Sequence, residues 1–159
     1  MTRDEVLKRL KDKFGKKIKD LFEKSEKRVY ITIDPKDITE FVKFIFLGIE
    51  ARFITASCVD MPKEMEILYH FSVDKTSLIV SFRARIDKAN LAIESITPIM
   101  KGAEWIEREI HELFGVAFRN HPNLKTLLLP DDWPEGLYPL RRDYKEEDYE
   151  ARMKEKESK

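Results

Sequence analysis

The sequence predicts an α+β fold: an antiparallel sheet covered by helices on one face, followed by an extended, irregular C-terminal arm. Three observations carry this. Val6, Leu7, Leu10 and Phe14 recur at helical spacing near the start. Between Arg52 and Ile86 the apolar residues alternate with period two. From Val116 onward the periodicity stops, and Pro122, Pro130, Pro134 and Pro139 interrupt the chain. The 159 residues suit one domain with an appendage. The expected division is an α+β domain at 1–115 and an arm with a charged tail at 116–159.

The first helix is expected from Asp4 to Lys24, with Ile18, Leu21 and Phe22 continuing its apolar face and Gly15 weakening its middle. Arg28 to Ile33 reads as a strand with Val29, Ile31 and Ile33 on one side. Asp34-Pro35 opens a second helix, aspartate as N-cap and proline in the first turn, carrying Ile38, Phe41, Val42, Ile45 and Phe46. Arg52–Val59, Glu66–Val73 and Ser77–Ile86 form an antiparallel meander, with Asp74-Lys75-Thr76 as a hairpin connection. Arg83 and Arg85 then fall on the polar face. A short strand at Ile93–Ile96 and a turn at Ser95-Ile96-Thr97-Pro98 lead to a helix beginning near Trp105. Gly115 occupies the position where a left-handed residue ends such a helix. The tail from Tyr144 to Lys159 is almost all charge and reads equally as a helix or as a disordered tail.

Thirty basic residues balance thirty acidic ones. A nucleic-acid binder is expected to show a basic excess, so none is expected as partner. The charged fraction of 38%, with no Gln and three Asn, is a thermophile-like composition. Cys58 is the single cysteine, which excludes an internal disulfide and a cysteine-held iron–sulfur cluster. The N-terminus lacks the apolar core of a signal peptide, and no segment approaches the roughly 20 apolar residues that span a bilayer.

Candidate chemistry is thin. Glu107, Arg108 and Glu109 fan about 100° apart around their helix, so Trp105, Glu109 and Leu113 share one stripe while Glu107 and His111 share another. A glutamate on the tryptophan side would be half-buried and in need of a partner, such as Arg108 or an arginine of the tail. His111-Glu112 begins a zinc-protease motif, but Gly115 stands where the second histidine belongs. Glu107, His111 and His121 are the candidate metal triad and define a metal-dependent enzyme as the alternative class. His70 and Cys58 read as structural, Ser57 has no nucleophile elbow, and no phosphate loop or GxGxxG fingerprint is present. Trp133, Tyr138, Arg141, Arg142 and Asp143 combine aromatic groups with guanidiniums, a pairing typical of protein interfaces.

The ordered run Trp105-x-Glu107-Arg108-Glu109-x-x-Glu112-Leu113-Phe114-Gly115, then Phe118, His121-Pro122, Leu124 and Leu128, then Pro139-Leu140-Arg141-Arg142-Asp143, resembles the 30-kilodalton subunit family of respiratory complex I, the C subunit of NADH-quinone oxidoreductase. The wording Leu129-Pro130-Asp131-Asp132-Trp133-Pro134-Glu135-Gly136 is similar to versions found with membrane-bound nickel–iron hydrogenases and archaeal sulfane reductases. Asn120, His111 and Arg142 depart from the usual residues. The resemblance implies a non-catalytic subunit with no cofactor of its own, peripheral on the cytoplasmic side of the membrane. Its implied partners are the large hydrogenase-like subunit and neighbouring iron–sulfur subunits, with the membrane arm reached indirectly. Trp105, Glu107, Arg108, Glu109, His121, Trp133, Tyr138, Arg141, Arg142 and Asp143 are the expected partner-interface residues. The corresponding subunit of an F(420)H(2)- or NADH-quinone oxidoreductase, or of a sulfane reductase, is the close alternative.

Overall fold

The computed structural model describes residues 1–157, with side chains through 156. Helix α1 (Arg3–Phe14) starts on a capping box: the Thr2 hydroxyl accepts from the Glu5 N–H, and the Glu5 carboxylate accepts from the Thr2 N–H. The helix buries Val6, Leu7, Leu10 and Phe14. It then stops. The expected helix to Lys24 is corrected here: after a tight turn at Gly15–Lys17, residues Ile18–Ser25 form strand β1. The spacing of Ile18, Leu21 and Phe22 is helical on paper. Pairing with strand β2 (Arg28–Ile33) overrides it, setting Leu21 opposite Ile31 and Phe22 opposite Tyr30.

Asp34 caps the turn after β2 by accepting from the Lys36 N–H (3.2 Å), and Pro35 follows as expected. Helix α2 (Ile38–Lys43) buries Ile38, Phe41 and Val42 and runs into a wider turn at Phe44–Gly48. Strands β3 (Arg52–Asp60), β4 (Glu64–Val73) and β5 (Leu78–Asp87) form the anticipated meander, with Ser77 left-handed after the Asp74–Thr76 turn. The sheet order is β1-β2-β5-β4-β3. One pairing departs from an all-antiparallel reading: β2 lies parallel to β5, Val29 opposite Val80 and Ile31 opposite Phe82. Alternation identifies which face of a strand is buried but not which strand lies beside it, so only the assembled sheet reveals this neighbour.

The helices cover one face. Phe14 stacks on Phe41 with ring centroids 3.9 Å apart, and Phe41 meets Phe82 edge-on at 5.4 Å. Each fully buried side chain of this size contributes about 2 kcal/mol. The other face carries Arg83 and Arg85 beside Glu66, at 3.4 and 3.0 Å, as the alternation requires.

A second unit follows. Strand β6 (Ala92–Glu94) pairs in parallel with β7 (Ala117–Arg119), and helix α3 (Glu104–Phe114) connects them. Val116 and Phe118, just beyond the boundary expected at 115, remain in the core. Of the two readings of the tail, helix is the observed one: α4 covers Glu146–Glu157. Residues 158 and 159 lie outside the described residues.

Candidate functional site: helix α3 and the arm it holds

Helix α3 presents a different residue on each side. Glu107 faces inward and is fully buried. Its carboxylate accepts from the Ile96 N–H (2.8 Å), the Thr97 hydroxyl (2.8 Å) and the Ser95 hydroxyl. Burial pushes this carboxyl above the ordinary glutamate range; the three donors and His121 oppose the rise. Tyr69 lies beneath, its hydroxyl buried without a partner among the described residues and its pKa driven up by burial and by the Glu107 charge.

His121 approaches Glu107 to 3.9 Å. Its Nδ1 accepts from the Asn123 N–H (3.0 Å), so the proton sits on Nε2, which donates to the Glu104 carbonyl (3.1 Å). His111 turns away and donates from Nδ1 to the Val116 carbonyl (2.8 Å). Among the described residues no group of three or more His, Cys, Asp or Glu is arranged to hold a metal ion. Glu107 and His121 are therefore brought together, while His111 is directed elsewhere.

The outer side of α3 holds the arm. Arg108 donates from Nε to the Lys125 carbonyl (2.9 Å) and from Nη2 to the Thr126 carbonyl (2.6 Å). Glu112 accepts the backbone N–H groups of Leu127 (2.8 Å), Leu128 (2.7 Å) and Leu129 (3.4 Å). An extended segment cannot satisfy its own backbone, so these two charged side chains replace the strand neighbour it lacks. Glu112 is the residue that sequence reasoning missed. Its signal was available, since it stands in the family motif, but its spacing alone did not separate it from a solvent-facing acid.

The helix C-terminus is closed by the arm's end. Gly115 is left-handed at φ 77°, and its N–H donates to the His111 carbonyl (2.8 Å). Arg141 donates from Nε to the Phe114 carbonyl (2.7 Å), and the Leu140 N–H to the Leu113 carbonyl (3.1 Å). These carbonyls have no partner inside the helix, and a cation there also matches the helix dipole. The Arg141 guanidinium lies 4.3 Å from the Tyr138 ring centroid. The next N–H, of Arg142, donates to Asp60 (2.8 Å), which Lys88 also engages. Burial alone raises the Asp60 carboxyl, but the Arg142 N–H, Lys88 and Arg141 outweigh it and hold it below its ordinary value.

Trp133 is enclosed by the tail. Its ring stacks on Tyr149 with centroids 4.7 Å apart, and its Nε1 donates to the Leu137 carbonyl (2.8 Å). Arg152 donates from α4 to the Glu135 carbonyl (2.6 Å). Among the expected interface residues, Glu107, Arg108, His121, Trp133, Tyr138 and Arg141 thus have partners within the chain. Trp105 stands 69% exposed, Glu109 is half-covered, and Arg142 and Asp143 are exposed. His70, read as structural, bonds Ser57 (3.0 Å) and Ser81 (2.7 Å), and Cys58 packs against the core.

A sequence profile described as "Respiratory-chain NADH dehydrogenase, 30 Kd subunit" matches residues 31–150. The chain is 32% identical over 142 residues to the C subunit of F(420)H(2) dehydrogenase from Methanosarcina mazei, covering 87% of this chain and 89% of that protein. It is 32% identical over 141 residues to the C subunit of NADH-quinone oxidoreductase from Citrifermentans bemidjiense, covering 86% and 85%. Its fold is similar to a chain in the structure of the membrane-bound sulfane sulfur reductase, an archaeal respiratory membrane complex, with TM-score 0.80 at 23% identity, covering 96% and 91%. The matched profile includes both α3 and the arm segment it holds, and by that match the chain belongs to the 30-kilodalton subunit family of respiratory-chain NADH dehydrogenase.

Proposed function

We propose that this chain is a non-catalytic, structural subunit of a complex I-related, membrane-bound nickel–iron (NiFe) hydrogenase-type complex. It packs in the peripheral arm against the large hydrogenase-like subunit, beside the iron–sulfur subunits, on the cytoplasmic side. The observation that carries this is the use of the family motif. Arg108, Glu112 and Arg141 hold an extended arm, and Glu107 ties α3 to the β6 loop, so the charged residues organise a surface rather than a reaction cavity. Large apolar side chains remain outside: Trp105 at 69%, Leu128 at 62% and Leu140 at 53% exposure. No helix among the described residues is long and apolar enough to cross a membrane, which suits a peripheral subunit.

A second reading keeps the same role in a different complex. The named relatives favour the corresponding subunit of an F(420)H(2) dehydrogenase or NADH-quinone oxidoreductase, and the fold likeness suits a sulfane reductase. Purification through an affinity tag from detergent-solubilised membranes of the native host tests both. The expected result is a stoichiometric complex containing a hydrogenase-like large subunit. Assay of that complex with protons, sulfane sulfur and a quinone then separates the readings. Recovery of the chain alone, or metal-dependent turnover by the isolated chain, overturns the structural role.

A further inference from the structure

Within the charge triplet, two members have partners among the described residues and one does not. Glu107 has three donors, and Arg108 has two carbonyls. Glu109 is half-covered, and no hydrogen bond or ion pair reaches its carboxylate among the described residues. It lies one helical turn from Trp105 and one from Leu113, so the three form a single outward stripe. Leu128 and Leu140 are anchored at the C-terminal end of that stripe, through their N–H groups to Glu112 and Leu113. The result is an unpaired carboxylate between an exposed indole and two exposed leucines.

A half-covered carboxylate on a face that also carries an exposed indole and leucines gains most from a cation that is weakly hydrated and planar. A guanidinium meets it in a fork and can lie on the neighbouring indole at the same time; an ammonium does only the first. We infer that the face formed by Trp105, Glu109, Leu128 and Leu140 is the docking face for a segment of a partner subunit that presents an arginine between apolar side chains. This rests on the proposed role as a subunit and names the chemistry of the contact. Arg108 and Glu112 are positioning residues: they fix the arm so that Leu128 completes the face.

The tagged complex from native membranes tests it, with Glu109→Gln, Glu109→Lys, Trp105→Ala and a control, Asp20→Lys on the exposed β1 edge. Recovery of partner subunits is expected to fall about tenfold for Trp105→Ala and for Glu109→Lys, less for Glu109→Gln, and not for Asp20→Lys. The isolated variants are expected to melt with the parent chain. Photocrosslinking from position 105 is expected to capture a partner peptide containing arginine, and replacing that arginine with glutamate should restore recovery to Glu109→Lys. If the unaltered chain recovers no partner, the subunit role and this contact both fall. If it recovers its partners and Glu109→Lys does so equally well, or the crosslinked peptide lacks arginine, only the docking face is overturned.

Discussion

Glu107 is fully buried and held by three hydrogen bonds. A fully buried carboxylate is tolerated because three donors converge on it, and each of those donors depends on it in return. Glu107→Ala is expected to cost about 3 kcal/mol, because the Ile96 N–H and the hydroxyl hydrogens of Ser95 and Thr97 are left buried without an acceptor. The loss is read as a drop in Tm. The pH dependence has a definite sign. The folded carboxyl binds its proton more tightly than the unfolded one, since burial raises its pKa. Its contribution therefore weakens as pH rises from the ordinary glutamate range through the raised folded value. Glu107→Gln should abolish that slope in a stability-versus-pH series; an unchanged slope would assign it to another group. Asp60 behaves oppositely. Its lowered carboxyl stabilises the fold above the ordinary aspartate range and loses that effect as acid protonates it. Cys58 supplies an independent check. Burial, then the nearby Asp60 charge, pushes its thiol up to about 12, so the nucleophilic thiolate is scarce at neutral pH. Alkylation by iodoacetamide should be slow in the native protein and fast in guanidinium; rapid native labelling would contradict the packing described for β3.

At the scale of elements, the junction between α3 and the arm depends on close approach at Gly115. A Cβ there would lie 2.6 Å from Arg141 Nη2 and 2.6 Å from the Tyr138 ring, on a backbone at φ +77°. Gly115→Ala is expected to cost about 2 kcal/mol, the left-handed penalty plus displacement of the Arg141–Tyr138 pair. It should also release the arm, seen as faster proteolysis after Arg141 or Arg142. Loss of stability without that cleavage would mean the arm is held elsewhere. Much of this element pattern was legible in the sequence: the Asp34 cap on the turn leading into α2, the β3–β4–β5 meander and the left-handed Gly115 all follow from local chemistry. Three things were not. Helical spacing at Ile18, Leu21 and Phe22 concealed β1, because a strand covered mainly on one side also shows sparse apolar residues. The parallel β2–β5 neighbours depend on the path of the whole chain. The roles of Glu107, Glu109 and Glu112 depend on which face of α3 turns inward, and the sequence shows the stripes without saying which stripe is covered.

On the scale of the whole molecule, the arm folds back onto the body and closes a loop of contacts. Arg141 caps α3, the Arg142 N–H reaches Asp60 at the end of β3, and α4 returns to Trp133. The two adjacent arginines therefore have separable roles. Arg141 engages through its side chain, while Arg142 engages the body through its backbone and leaves its side chain exposed. Arg141→Ala removes a charge-assisted bond to the Phe114 carbonyl and the stack on Tyr138. That should cost about 2 kcal/mol, a fall in Tm of roughly 6 °C in the isolated chain. Arg142→Ala keeps the N–H to Asp60 and should leave the isolated chain within about 0.5 kcal/mol of the parent. If the outward guanidinium meets an acidic group of a neighbouring subunit, the same variant should reduce recovery of the assembled complex, and the reduction should grow with ionic strength. The two substitutions, measured by melting of the isolated chain and by recovery of the complex, form a crossed comparison. Stability should follow Arg141 and assembly should follow Arg142. Equal melting temperatures for the two variants would show that the arm's hold on α3 does not run through the Arg141 side chain.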